Sequence, residues 1–187
     1  MMNKKDQIYE AALRLFNKHG FDKTPTSQIA KEAGVATGTL FHYFATKDEL
    51  INGLYLKCKD TMLETVLQGV GDMKDYKDQI RIIYKNLLKG AVACSEEFLF
   101  FQQFSHSAVI LDSTKKQGIE KFNVIYEFIN RGIEDGILKN VDIEFITQCV
   151  MGIISSSSLY LVSRPKLLED SVFMEQAFSL VWDAIKK

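Results

Sequence analysis

Proline and cysteine are scarce in this chain, and neither sign of charge is in excess. Two prolines in 187 residues leave long stretches with no obstacle to helix. Cys58, Cys94 and Cys149 are odd in number, widely spaced and without a Cys-x-x-Cys partner, which argues against a disulfide framework or a zinc site. They read as reduced core thiols of a cytoplasmic protein. With 23 Lys or Arg against 24 Asp or Glu, the chain is a poor candidate for a non-specific coat on nucleic acid. No basic stretch precedes an apolar run at the amino end, so no signal peptide is expected. Also missing are a glycine-rich phosphate loop, a Gly-x-Ser-x-Gly elbow and a His-Glu-x-x-His pair, and the three histidines are isolated. The reading is therefore no enzyme, no cofactor and no metal.

What the chain does have is helical periodicity. It is 47% hydrophobic, enough for one small and one larger domain. Ile8, Ala11, Ala12, Leu15, Phe16 and His19 recur at three- and four-residue spacing, which predicts an amphipathic helix over about 5–19. Residues 24–44 then read as two short helices joined at Gly34. Thr24 is expected to cap the first, with Pro25 at its first position and Ile29, Ala30 and Ala33 inside. Gly34 supplies the positive φ that ends it, and Val35 packs in the turn. The second helix opens near Thr37, with Leu40, Phe41 and Phe44 expected inside and Thr37, Thr39, His42 and Tyr43 left outside. Two helices across a three- to four-residue turn form a helix-turn-helix.

One ordered run carries more: Leu15-Phe16, Gly20-Phe21, Thr24, Ile29-Ala30, Ala33-Gly34-Val35, Gly38-Thr39-Leu40, His42-Tyr43-Phe44 and Lys47-Asp48-Glu49-Leu50. It resembles the DNA-binding half of the tetracycline-repressor (TetR) family over roughly the first 60 residues. The resemblance implies an all-α fold, with an N-terminal three-helix, homeodomain-like helix-turn-helix domain and a larger C-terminal helical domain for ligand binding and dimerisation. The expected boundaries are 1–47 and 48–187, with a connecting helix to about residue 67. The implied function is a ligand-responsive, sequence-specific transcription regulator, most simply a repressor released from a palindromic operator by a small apolar or aromatic effector. Its partners would be double-stranded operator DNA, a second copy of the chain and a small molecule, with no membrane.

Contact chemistry follows residue by residue. Gly38 lets the backbone approach phosphate. Thr37 and Thr39 are the candidate base readers, with hydroxyls for base edges and methyls for a thymine methyl. The resemblance places Thr26, Ser27, His42, Tyr43 and Lys47 at backbone-contacting positions. Two residues depart from the family pattern. Ala36 stands where a serine commonly caps the recognition helix, so the cap is lost or moves to Thr37. Ser27 stands where arginine is common, which predicts a shallower salt dependence. Residues 1–50 hold seven Lys or Arg against six Asp or Glu, so any basic face must come from placement.

Beyond Lys47 the pattern stays helical, giving nine or ten helices in all. Thr46 is expected to cap a helix through Val66 that Gly69 and Gly71 break, followed by helices over about 75–93 and 96–106. A single long helix is expected from Asp112 to Gly136, then one from Asp142 to about Val162 and one from near Asp170. The aromatic run Phe98 to Phe104 reads as core or as pocket wall. A pocket would be lined by Met62, Tyr84, Phe101, Phe104, Tyr126 and Cys149, with Gln102, Gln103 and His106 as polar fixtures. Phe145 to Val162 is 18 residues without a charge, the length of a membrane span. Its serines and small residues fit a helix-packing surface better. The family's last two helices resemble a dimer-forming four-helix bundle, which makes Leu159, Val162, Phe173, Phe178, Val181 and Trp182 interface candidates.

Overall fold

The computed structural model describes residues 3–187, and it is 77% helical. Ten α-helices follow in order among the described residues: α1 (Lys4–His19), α2 (Thr26–Glu32), α3 (Thr37–Tyr43), α4 (Lys47–Leu67), α5 (Tyr76–Ala93), α6 (Ser95–Phe104), α7 (Asp112–Glu120), α8 (Asn123–Glu134), α9 (Ile143–Val162) and α10 (Ser171–Ile185). Short 3-10 turns lie at Val70–Asp72 and Pro165–Glu169. The chain forms two compact units. One takes the residues up to Asp60 together with Glu96–Glu120, and the other takes Thr61–Ser95 and Lys121–Lys187.

The first unit is built on α1, whose N-cap Asn3 accepts the Asp6 N–H at 2.9 Å. Its apolar stripe buries Ile8, Ala11, Ala12, Leu15 and Phe16 against Ile29, Ala30, Leu40, Phe44, Leu50, Ile51, Leu54, Phe100, Phe104 and Ile110. Thr46 caps α4 as expected, its hydroxyl accepting the Glu49 N–H, while the Glu49 carboxylate reaches back to the Ala45 N–H. Asn52, buried inside α4, spends its side chain completely on backbone. Its amide donates to the carbonyls of Asp48 and Val109, and its oxygen accepts the Leu111 N–H. That clasp fixes the turn before α7.

In the second unit, Ile80, Tyr84 and Leu88 of α5 pack with Ile146, Ile154 and Leu161 of α9 and with Phe178, Val181 and Ile185 of α10. Asp75, Asp142 and Asp170 cap α5, α9 and α10 with their carboxylates. Tyr76 stacks on Phe128 at 4.5 Å and donates to the Phe128 carbonyl at 3.0 Å. The single long helix expected from Asp112 to Gly136 is two: the chain breaks at Lys121–Phe122, and the compact units also divide there. Gly136 does end the second of them, at φ +68°. Ile143–Val162 is long and apolar enough to cross a membrane by length and composition. In the unit it packs as α9, burying Ile146, Ile154, Ser158 and Leu161 and leaving Phe145, Met151, Leu159 and Tyr160 exposed.

Candidate nucleic-acid interface

The turn between α2 and α3 is fully accounted for by hydrogen bonds. The Val35 N–H bonds to the Ala30 carbonyl, the Gly34 N–H bonds to the Lys31 carbonyl, and Gly34 sits at φ +67°. This pairing closes the open carbonyls of a helix end around a left-handed residue, which is why glycine is needed there. Val35 packs against the core of the first unit, so the turn is anchored as well as bent.

Thr24 does not cap α2. That position falls to Pro25, which offers no side-chain bond, and α2 begins at Thr26. Thr24 is instead fully buried (0% exposed), and its hydroxyl donates to the Gly20 carbonyl at 2.7 Å, with the Leu15 carbonyl at 3.3 Å. It ties the end of α1 to the start of α2. On α3 the cap is lost rather than moved: Ala36 is the N-cap and makes no side-chain bond.

Seven residues give α3 two turns and room to bury one side. Leu40 fills that side, and Phe44 follows as the C-cap, its N–H bonded to the Leu40 carbonyl. Phe41, expected inside, is 45% exposed. One residue on from Leu40 is a rotation of about 100°, which takes it off the buried side. Thr37, Gly38, His42 and Tyr43 are exposed on α3, and Ser27 is exposed on α2; Thr26 and Thr39 are half-buried. The His42 and Tyr43 rings pack edge to face at 5.4 Å.

Lys47 is half-buried at the start of α4. Its ammonium donates to the Phe21 carbonyl and lies 4.2 Å from the centre of the Phe21 ring. Burial lowers its pKa, opposed in part by Asp22 and Asp48. This lysine therefore already has a partner inside the protein. Tyr9 holds the other flank, its ring 5.0 Å from that of Phe44. Burial first, then Asp6, Glu49 and Cys58, push its hydroxyl up to about 12.

Comparison with known proteins decides what this arrangement is. A family profile described as bacterial regulatory proteins of the tetR family matches residues 8–54, and one described as a tetracyclin repressor-like C-terminal domain matches residues 55–187. The chain belongs to the TetR family. A crystal structure of a tetR family transcription regulator from Shewanella sp. PV-4 is similar over 100% of both chains, at 32% identity and a TM-score of 0.92. A TetR family regulator from Marinobacter aquaeolei VT8 shares the fold at a TM-score of 0.85 and 23% identity, covering 98% of this chain and 96% of that one. Among curated proteins, IcaR of Staphylococcus epidermidis, a negative transcriptional regulator of the biofilm operon icaADBC, is 24% identical over 98% of this chain and 100% of its own length. HTH-type regulators of Bacillus subtilis (YuxN) and Haemophilus influenzae are 31% and 32% identical over 48% and 44% of this chain. The chain spans only 32% and 44% of those two relatives' own length. The chain thus has the all-helical fold and the helix-turn-helix of a family of DNA-binding transcription regulators.

The residues expected to line a pocket are divided between the two units. Phe104 is buried in the first unit's core and Phe101 packs edge to face on Tyr55 at 5.4 Å. Tyr84 is buried in the second unit's core, Met62 and Tyr126 are half-buried there, and Cys149 is exposed. Gln102, Gln103 and His106 are exposed. Open surface depressions of about 430 Å³ along α10 and about 520 Å³ beside α1 are lined by other residues, among them Val172, Glu175 and Gln176 in one and Arg14, Lys18 and Glu96 in the other. Among the six dimer candidates Leu159 is exposed, and Val162, Phe173 and Trp182 are half-buried. Phe178 and Val181, at 1% and 2% exposed, point into the chain's own core, which removes them from any surface. Leu40 and Phe44 were legible as interior from spacing; Phe41 could have been read as exposed from the same wheel, whereas the Asn52 clasp had no sequence signal.

Proposed function

We propose that this TetR-family regulator is a homodimeric repressor, released from a near-palindromic operator when a small apolar or aromatic effector binds. The observation that carries the reading is the exposed polar row on α3, Thr37, Gly38, His42 and Tyr43, standing over buried Leu40. In this reading residues 1–47 read DNA and residues 48–187 bind the effector and the second protomer, in the cytoplasm. Thr37 and Thr39 face base edges, while Thr26, Ser27, Gly38, His42, Tyr43 and Lys47 meet the phosphate backbone. Lys47 does so only by leaving the Phe21 carbonyl, which limits what its charge adds.

The dimer face is the apolar surface that α9 and α10 leave open: Leu159 with Phe145, Met151, Tyr160, Val172 and Leu180, edged by Val162, Phe173 and Trp182. Two-fold symmetry then requires half-sites about one helical turn, ~34–36 Å, apart. An effector with a polar atom is favoured by one buried hydroxyl, that of Ser158, which has no hydrogen-bond partner in the second unit's core. Met62, Tyr126 and Cys149 would join Tyr84 in the effector's surroundings, whereas Phe101 and Phe104 belong to the first unit's core. Fatty acyl-CoA compounds are the first series to try, because the structure of Bacillus subtilis FadR was solved with stearoyl-CoA.

The test is selection of bound duplex from a random pool, followed by binding to the chromosomal region beside the coding gene. Tyr43→Phe and Lys47→Ala should weaken all sequences alike, and Thr39→Ala should relax one or two positions. Purified protein that ignores every duplex at low ionic strength overturns the reading. Release by effector requires linkage, so operator must weaken effector binding as much as effector weakens operator binding. Equal effector affinity for free and DNA-bound protein removes induction and leaves DNA binding standing.

A further inference from the structure

α3 holds no lysine, arginine or carboxylate, and the cation that follows it in the chain, Lys47, is spent on the Phe21 carbonyl. Other cations of the first unit are also committed: Arg14 pairs with Glu10 and Glu32, and Lys57 with Asp6. Lys5 is different. It is exposed on the first turn of α1 and makes no ion pair among the described residues. Its ammonium lies 5.7 Å from the centre of the Phe44 ring and 5.8 Å from that of Tyr9. Both rings are buried and pack on each other at 5.0 Å, so the lysine rests on a fixed floor. The two carboxylates that act on Tyr9 are occupied, Asp6 by Lys57 and Glu49 by the Ala45 N–H.

We propose that Lys5 is a phosphate-binding residue, giving the DNA interface from α1 the full positive charge that Lys47 has turned inward. The proposal rests on α3 being the helix that enters the groove. Phe44 is the C-cap of α3 and follows directly on His42 and Tyr43, so the Lys5 ammonium stands at the C-terminal end of that helix. Seven residues make α3 about 10 Å long against a major groove about 12 Å wide, so a group just past the helix end meets the phosphates that border the groove. An ammonium on a flexible stem suits a phosphate oxygen, a contact that carries no sequence information. Lys5 is held by ring faces alone, so it turns outward without breaking a hydrogen bond, which Lys47 cannot do. Each such contact releases a counterion, and salt dependence is therefore its signature.

The experiment uses the full chain, a duplex selected by it from a random pool and an unrelated duplex of the same length. Affinity is measured between about 50 and 200 mM salt and plotted on logarithmic axes. Lys5→Gln and Lys5→Met should each lower the slope by about 0.9 per protomer bound, which narrows their deficit against wild type about 3.5-fold across that range. Lys5→Met keeps the stem over the rings, so it separates charge from packing. Lys5→Arg should keep the wild-type slope. Lys116→Gln, which removes an exposed charge on α7 of the same unit, should leave the slope alone. A wild-type slope in Lys5→Gln and Lys5→Met, or an equal fall in Lys116→Gln, overturns the proposal while α3 remains the reading helix. A loss confined to the selected duplex overturns it as well, since a phosphate contact is blind to sequence. Wild type that binds neither duplex overturns both this proposal and the DNA-binding reading.

Discussion

Gly53 lies in α4 where the helix passes the Tyr9 hydroxyl, and the fit there can be tested by a two-residue cycle. A β-carbon built on Gly53 would lie 2.5 Å from the Tyr9 oxygen but 3.5 Å and 3.6 Å from the next ring atoms, which is ordinary contact. The obstruction is therefore one atom. Tyr9 cannot simply swing aside, since it is buried and its ring packs against Phe44 at 5.0 Å. Gly53→Ala alone should gain about 1 kcal/mol of helix propensity. Against that, overpacking at a well-filled site costs about 1–3 kcal/mol. The single variant should come out neutral to about 2 kcal/mol less stable. In a Tyr9→Phe background the obstructing atom is gone, and the same change should stabilise by about 1 kcal/mol. The coupling between the two sites is then about 1–3 kcal/mol. Urea unfolding followed by far-ultraviolet circular dichroism, at a single protein concentration because a dimer's stability depends on it, reads the four proteins directly. Gly53→Ala with the same effect in both backgrounds would refute the claim that the Tyr9 hydroxyl sets how closely α1 and α4 approach.

Thr24→Val keeps the shape of a buried side chain and removes its donor, so the Gly20 carbonyl loses its 2.7 Å partner. The expected cost is about 1–3 kcal/mol in urea midpoint measurements, and an unchanged midpoint would show that the bond is not a strut. Alkaline pH is a second probe. Burial raises Tyr9 and Tyr76 from 10.0 to about 12, so the folded chain favours the neutral phenols. Their contribution is complete below pH 10 and is lost as pH climbs from 10 towards 12, because only the unfolded chain ionises readily there. Tyr9→Phe and Tyr76→Phe should each flatten that decline, with tyrosinate absorbance following the titration.

The helix plan was readable because its punctuation is chemical. Asp75, Asp142 and Asp170 cap the helices that they were expected to open, and Gly34 and Gly136 turn the chain where a positive φ is required. What periodicity could not supply is which face gains a neighbour. Phe41 and Leu40 are equally apolar, yet α3 is too short to bury two sides, so one is core and the other solvent. Phe178 and Val181 lie on an apolar helix that serves both its own core and an open surface, and spacing does not say which stripe faces inward. The break at Lys121–Phe122 has neither glycine nor proline to announce it. Lys47 carries the charge expected of a phosphate contact, but the Phe21 carbonyl close in space has claimed it.

Phe100, Phe104 and Ile110 come from far along the chain, yet they complete the core beneath α2 and α3, and the Asn52 clasp holds the turn beside them. An amino-terminal fragment cut at residue 60 would leave Phe16 without the Phe104 ring that covers it at 6.3 Å. Transplanting the reading head onto a relative is therefore a matter of moving two pieces of polypeptide. A chimaera that exchanges only the opening segment inherits a mismatched underside, and its failure would say nothing about the operator that it was built to recognise.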